Sequence, residues 1–281
     1  MKIMVTGADG FLGYRLHHYF ENKDYEVNGI KHNLLDLTCE SSVKEYIGRE
    51  TPDIVIHCAA ISDVGTCAKN PEDSSDVNVN ASVYVAEACQ KAGTKLIFCS
   101  SDQVYFGSNE MNPHVESEVL MPPHIYGKEK LEAEEKILKC NPDSVCLRLS
   151  WMYDTKYREN REHSNLYNNV KQAFTRGEQC EFPVYDRRSI TNVWDVIENM
   201  EKVFHLPAGI YNYGSENQFS TYELIRNIWK NNKEKQDRIH PNKKAFSDQP
   251  RNLMMDCNKI RQYGIEFPRT SERMEKDFWE I

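Results

Sequence analysis

No apolar run in this 281-residue chain approaches the ~18 residues that a membrane-spanning helix needs, so no membrane partner is expected. The opening residues MKIMVTGADG break straight into glycines, without the cationic stretch and apolar core of a secretory leader. Paired cysteines are missing too. Cys39, Cys58, Cys67, Cys89, Cys99, Cys140, Cys146, Cys180 and Cys257 form no C-x-x-C, and their number is odd. That argues against a structural zinc or a disulfide framework and for free thiols in a reducing cytoplasm. Cation excess is absent: Lys+Arg number 35 against Asp+Glu 43, a formal net charge of -8, which argues against nucleic acid as a partner. Repeats and low-complexity tracts are lacking. Apolar content of 40% and charged content of 28% exclude a disordered, collagenous or solenoid chain.

What is present is an alternation. Short apolar runs bounded by turn residues read as strands at Lys2–Thr6, Glu26–Ile30, Asp53–Ala59, Lys95–Ser100 and Ser144–Leu149. Helical stretches separate them at Phe11–Glu21, Glu40–Gly48, Val77–Ala92 and Ile125–Leu138. Apolar strands alternating with helices imply a parallel sheet covered on both faces, hence a doubly wound α/β fold. After Trp151 the rhythm changes. A polar loop over Asp154–Asn169 leads into a helix near Leu166–Arg176. A helix at Asn192–Phe204 and a strand at Gly209–Tyr213 follow, then a helix at Thr221–Asn231 opened by the capping-box pattern Ser220-Thr221-Tyr222-Glu223. The expected organisation is a dinucleotide-binding Rossmann domain over residues 1–150 and a smaller substrate-binding lobe over 151–281, partly interleaved with the sheet domain.

Thr6-Gly7-Ala8-Asp9-Gly10-Phe11-Leu12-Gly13 follows the first strand and opens the first helix. Gly7 permits the tight turn, Gly10 lets backbone approach a pyrophosphate, and Gly13 lets helix pack on strand. Phosphate would then rest on N–H groups at the helix N-terminus. The acidic residue that grips a ribose 2′-hydroxyl belongs about 20 residues on. Ile30-Lys31-His32-Asn33 stands there instead, with no carboxylate between Glu26 and Asp36. A lysine suits a 2′-phosphate, so NADP is favoured, with NAD the alternative; a solvated strand end is the plainer reading of Lys31.

Tyr126 and Lys130 stand four apart on an expected helix and share a face continued by Ala133 and Ile137. An ammonium beside a phenol favours the phenolate, so Lys130 is expected to lower the Tyr126 pKa toward working pH and make a general acid for carbonyl reduction. The fourth strand ends in Cys99-Ser100-Ser101-Asp102, hydroxyls at the strand end where open α/β sheets bind ligands. The third ends in His57-Cys58-Ala59-Ala60, small residues suited to a flat cofactor.

Together these segments resemble the extended short-chain dehydrogenase/reductase family, above all its dTDP-4-dehydrorhamnose reductase branch. T-G-A-D-G-F-L-G, S-S-D-Q-V-Y, Y-G-K-E-K-L-E-A-E and R-L-S-W-M-Y look like that branch's segments in order, strongly over residues 1–153 and thinly afterwards. The resemblance implies an NAD(P)H-dependent reductase of a nucleotide-linked 4-keto-6-deoxy sugar. Tyr126 would protonate the keto oxygen, Lys130 would hold the nicotinamide ribose, and Ser101 would hydrogen-bond the keto group. The implied cofactor bed is Gly7, Gly10, Phe11, Leu12, Gly13, Lys31, Asp36, Leu37, Cys58, Ala59, Ala60 and Ser100, with Tyr126 and Lys130. Substrate contacts would come from Asp102, Gln103, Trp151, Arg187, Arg188 and Arg251; the arginines match a diphosphate, or are solvated surface, and Trp151 lines the sugar-nucleotide pocket or the core.

Three departures stand out. Ser101 replaces the branch's usual threonine. Asp102-Gln103 replaces the Asp-Glu pair that related dehydratases use for elimination, which disfavours dehydration. Val184-Tyr185-Asp186-Arg187-Arg188-Ser189 stands where the branch carries an Asp-Gln…Pro-Thr segment. Two other readings share the motifs: a sugar-nucleotide epimerase with tightly bound NAD, and a non-catalytic NADP-binding subunit resembling the regulatory subunit of methionine adenosyltransferase. Some members of the branch use magnesium at a subunit contact, but no carboxylate cluster here assigns a metal. A homodimer rests on fold-level analogy alone.

Overall fold

A computed structural model describes residues 1–108, 110–156, 164–279 and 281. Its first strand, β1 (Lys2–Thr6), is followed by α1 (Phe11–Glu21), β2 (Glu26–Ile30), α2 (Glu40–Glu50) and β3 (Ile54–His57). Then come α3 (Val64–Lys69), α4 (Pro71–Ser75), a π-turn over Asp76–Asn80, α5 (Ala81–Ala92), β4 (Lys95–Ser101), α6 (Ile125–Cys140) and β5 (Val145–Leu149). The five expected strands and four expected helices are all there. β3 is shorter than read, because Cys58-Ala59-Ala60 leaves the ladder. The third helix starts earlier: Pro71 sits in the first turn of α4, and the π-turn joins α4 to α5 without a break.

The central sheet has the order β10-β5-β4-β3-β1-β2, where β10 is Gly209–Tyr213, and β2, β1, β3 and β4 pair in parallel. Strand order reverses between β1 and β3, and ligands of doubly wound sheets bind outside the strand ends at such a switch point. The fold is thus the expected Rossmann-like parallel α/β sheet. Met4, Val55, Leu96 and Phe98 from the strands pack with Val43, Ile47, Val85, Cys89, Ala133 and Ile137 from α2, α5 and α6 in one apolar core.

Later elements are short: β6 (Trp151–Tyr153), α7 (Leu166–Thr175), β7 (Cys180–Pro183), β8 (Asp186–Arg188), β9 (Ile190–Asn192), α8 (Val193–Glu198) and α9 (Met200–Val203). After β10 come α10 (Thr221–Ile228), α11 (Lys233–Gln236), β11 (Ile239–Asn242), β12 (Arg251–Leu253), α12 (Asn258–Arg261) and α13 (Thr270–Phe278). Three two-stranded parallel ladders form, β6 with β9, β7 with β11 and β8 with β12. The helix read over Asn192–Phe204 is two pieces divided at Asn199, whose carbonyl accepts from Lys202 N. The charge run near Asn231–Gln236 holds the one-turn α11, capped by Asn232. The Ser220/Glu223 capping box is present in full. Of the loop read over Asp154–Asn169, residues 157–163 lie outside the described residues.

The chain divides into two compact units. One comprises Met1–Val104, Met121–Arg148 and Asn199–Tyr211, the other Tyr105–Leu120, Leu149–Glu198 and Asn212–Ile281. The second has its own core of Tyr153, Tyr167, Phe174, Leu224, Ile225, Trp229 and Phe278. Among the described residues no helix is long and apolar enough to cross a membrane. All nine cysteines are free.

Candidate active site

The glycine loop is held in a shape that only glycine allows. Gly7 has φ +67°, and a methyl group on it would come within 2.8 Å of Ala59 N at the end of β3. A methyl on Gly13 would collide with the Gly7 carbonyl oxygen. The loop is tied down by Ala8 N donating to Ile30 O at 3.1 Å and Gly10 N to Gly7 O at 2.9 Å. No side chain caps α1, and Phe11, Leu12 and Gly13 form its first turn, leaving an anion-accepting helix end beside the loop. Thr6 Oγ1 joins the two edges of the crevice: it meets His57 Nδ1 at 2.7 Å and accepts from Cys58 N at 3.2 Å and Ala59 N at 3.3 Å. Sequence reasoning missed Thr6 and His57. Their signal was a hydroxyl and an imidazole closing adjacent strands.

Lys31 lies where the second strand ends, and its Nζ is 3.3 Å from Asp9 Oδ1 in the glycine loop, both side chains exposed. Asp36 is exposed and accepts from Thr38 N and Oγ1, which hold its carboxyl below the usual range. Leu37 is half-buried against the core. Ala60 continues the half-buried run after Cys58 and Ala59.

Tyr126 and Lys130 do share the inner face of α6, 7% and 2% exposed. Ala133 and Ile137 continue the stripe into the core. Lys130 Nζ donates to Cys99 O at 3.0 Å, lies 4.7 Å from the Phe98 ring centroid and 5.9 Å from that of Tyr126. Ser101, also buried at the end of β4, lies close enough to the Tyr126 phenol to favour its ionised form. The expected acidification of the phenol is corrected by this geometry. Burial pushes the Tyr126 pKa up, against the smaller opposing effect of Ser101, and burial also lowers that of Lys130. Desolvation outweighs a cation whose nitrogen is turned toward a carbonyl.

The start of α6 is pinned by His124. Its Nδ1 accepts from Gly127 N at 2.9 Å and its Nε2 meets Gln103 Oε1 at 3.1 Å. Gly127 has no room for a side chain, since a methyl would sit 2.6 Å from Gln103 O. Asp102, buried, accepts from Ser101 Oγ at 3.3 Å and Gln103 Nε2 at 3.2 Å. Ser100 is placed differently from Ser101. Its hydroxyl donates to Glu134, whose carboxylate forms a fully buried pair with Arg148, 2.7 Å to Nη2 and 3.1 Å to Nε. The Ser100 side chain therefore serves the core behind the cleft.

In the second unit the Trp151 ring carries the Arg188 guanidinium 4.5 Å from its centroid. Arg187 donates to Gln218 O at 3.2 Å. Arg251 is committed to Asp186 through two bonds, 2.7 and 2.9 Å, and stacks 4.0 Å from the Phe246 centroid. Thr221 Oγ1 completes the Asp186 shell at 2.9 Å. The structure thus groups Trp151 with Arg188 and engages Arg251 elsewhere.

A family model described as RmlD substrate binding domain matches residues 1–280. The spore coat polysaccharide biosynthesis protein SpsK of Bacillus subtilis is 30% identical over 228 residues, 81% of this chain and 78% of that protein. The methionine adenosyltransferase 2 subunit beta of Pongo abelii is 26% identical over 281 residues, 94% of this chain and 83% of that protein. Among solved structures, a dTDP-4-dehydrorhamnose reductase from Bacillus anthracis in complex with NADP superposes with a TM-score of 0.87 at 24% identity, covering 100% of this chain and 98% of that one.

Proposed function

The chain belongs to the RmlD substrate-binding domain family, and from that premise we propose that it is an NADPH-dependent reductase of a nucleotide-linked 4-keto-6-deoxy sugar, as in dTDP-L-rhamnose synthesis. The observation that carries this reading is the buried Tyr126 phenol, beside Ser101 and sharing its helix face with Lys130, at the switch-point crevice. The cradle at Gly7 and Gly13, the uncapped end of α1 and the small residues Cys58, Ala59 and Ala60 fit a dinucleotide. Bound there, the reduced nicotinamide supplies a hydride.

The chain's own residues do the rest. Tyr126 Oη carries the proton through the neutral range, because burial raises its pKa, and gives it to the keto oxygen as that oxygen becomes an alkoxide. Ser101 Oγ orients the phenol and then bonds the phenolate. Lys130, steadied by Cys99 O, supplies the cation that compensates that phenolate and reaches the ribose. Lys31 meets the 2′-phosphate at the rim of the glycine loop, which favours NADP, with NAD as the alternative. Gln103, without a carboxylate, gives no base for elimination. Trp151 and Arg188 are the proposed nucleotide-sugar contacts in the second unit, with Arg187. A cytoplasmic location accords with nine free thiols.

A second reading is favoured by the 94% coverage of this chain in its likeness to the methionine adenosyltransferase subunit: a cofactor-binding regulatory subunit. Loss of NADPH absorbance on adding dTDP-4-keto-6-deoxyglucose, with UDP and GDP analogues in parallel, tests both. Turnover on one of them supports the reductase. NADPH binding without turnover on any favours the subunit, and copurified stoichiometric NAD favours an epimerase.

A further inference from the structure

Cys58 and Cys99 sit one residue beyond the last paired positions of β3 and β4, His57 and Phe98, so they face each other across parallel strands. Their Sγ atoms are 3.5 Å apart. The other seven thiols lack such a partner. Cys39, Cys67, Cys140 and Cys257 bond hydroxyls or carbonyls, and Cys89, Cys146 and Cys180 pack in or against apolar cores. At the paired positions just before them, His57 and Phe98, adjacent strands run about 4.8 Å apart, inside the roughly 4.4–6.8 Å Cα range of disulfides. Closing the sulfurs to about 2.05 Å is thus a side-chain rotation and leaves the strands where they are. Cys58 is half-buried while Cys99 is covered, so a small oxidant reaches Cys58 first and Cys99 stands behind it as the resolving thiol.

We propose that Cys58 and Cys99 are a modification site: a dithiol that hydrogen peroxide closes to an intramolecular disulfide at the floor of the cofactor crevice. The chemistry balances with the peroxide as the only co-reactant. The Cys58 sulfur attacks the O–O bond, giving a sulfenic acid and one water. Cys99 then displaces the sulfenic oxygen as a second water, so both sulfurs are oxidised and the peroxide is reduced. The hydrogen bond between the two thiols, with burial, raises the Cys58 pKa, so little thiolate is present at neutral pH and closure needs sustained peroxide. The bond would form beside two parts of the crevice: Ala59 N follows Cys58 and faces Gly7, and Cys99 O holds Lys130 Nζ. Closure is therefore expected to weaken NADPH binding, a consequence that rests on the proposed cofactor reading.

The test incubates the full-length protein with hydrogen peroxide and reads intact mass, mapped peptides and NADPH fluorescence titration. The expected result is loss of two hydrogens per chain, reversed by dithiothreitol. A tryptic cross-link should join residues 50–69 to residues 96–128, with fragmentation assigning it to Cys58 rather than Cys67. Cys58→Ala and Cys99→Ala should each abolish the cross-link, so one poorly folding variant does not remove the test. A cross-link at other cysteines, or Cys58 accumulating as sulfinic acid with Cys99 free, overturns the site. If the cross-link forms and NADPH affinity is unchanged, the site stands and its coupling to the crevice is overturned.

Discussion

Burial raises the affinity of Tyr126 Oη for its proton, and in a reduction that is the direction the chemistry needs: the phenol must arrive protonated and part with its proton only as negative charge grows on the substrate oxygen. Tyr126→Phe should therefore lower kcat by about a thousandfold while NADPH titration gives an affinity within about twofold of wild type, since the ring still fills its place in the helix face. At the far end of the proposed cofactor site, Lys31 is bonded to Asp9 on an exposed rim. Lys31→Glu should reduce NADPH affinity by about tenfold, a charge-assisted bond's worth, and leave NADH affinity nearly unchanged, measured by fluorescence titration at low salt. Tyr126 and Lys130 were legible in the sequence because four-residue spacing on a helix guarantees a shared face. The state of the phenol was not, because it depends on where the Lys130 nitrogen points, and that is set by Cys99 O. His124 was illegible for a similar reason: capping Gly127 N while touching Gln103 requires two loops to meet.

At the scale of elements, α6 is tied to β5 by the buried Glu134–Arg148 pair, with Ser100 of β4 adding a third bond. Removing one partner of such a pair strands the other's charge. Glu134→Leu should cost about 3–5 kcal/mol in urea unfolding, and Glu134→Leu/Arg148→Met should recover most of that loss. Equal loss in the single and double variants would show that the pair is not what joins these elements. The strands β1, β3, β4 and β5 were readable as mostly apolar, buried runs between turn residues, and β2 (Glu26-Val27-Asn28-Gly29-Ile30), at the sheet edge, by its place in the alternation with helices. The ladders β6–β9 and β8–β12 were not: three residues carry no periodicity, and a run such as Asp186-Arg187-Arg188 reads as solvated charge although Asp186 and Arg188 are buried. α13 escaped notice because Thr270–Phe278 has only Met274 and Phe278 as buried apolar residues, enough to join the second core but few for a pattern.

Across the whole molecule, pH acts through two buried groups of opposite sign. His57, enclosed between Thr6 and Ser82, has its pKa pushed down to about 3 by burial, from 6.5. The unfolded chain takes up that proton near 6.5 and the folded one does not, so stability is lost as pH falls from about 6.5 toward 3. Asp195 goes the other way. Burial raises it from 3.8 to about 6, against the pull of Arg273, so between these values the folded form binds the extra proton and acid adds stability. Thermal unfolding from pH 7 to pH 4 should show a falling Tm. His57→Asn should flatten the fall and Asp195→Asn should steepen it; unchanged slopes would contradict both assignments.

The central claim is that hydride passes to a carbonyl carbon while Tyr126 supplies the proton. The most direct measurement is isotopic: deuterium carried at C4 of the nicotinamide of NADPH is followed into the sugar product by mass spectrometry and NMR. The prediction is one deuterium at C4 of the sugar with wild type and almost none transferred by Tyr126→Phe in the same time. Full transfer by the Tyr126→Phe variant, or no transfer by wild type to any 4-keto nucleotide sugar tried, would contradict it.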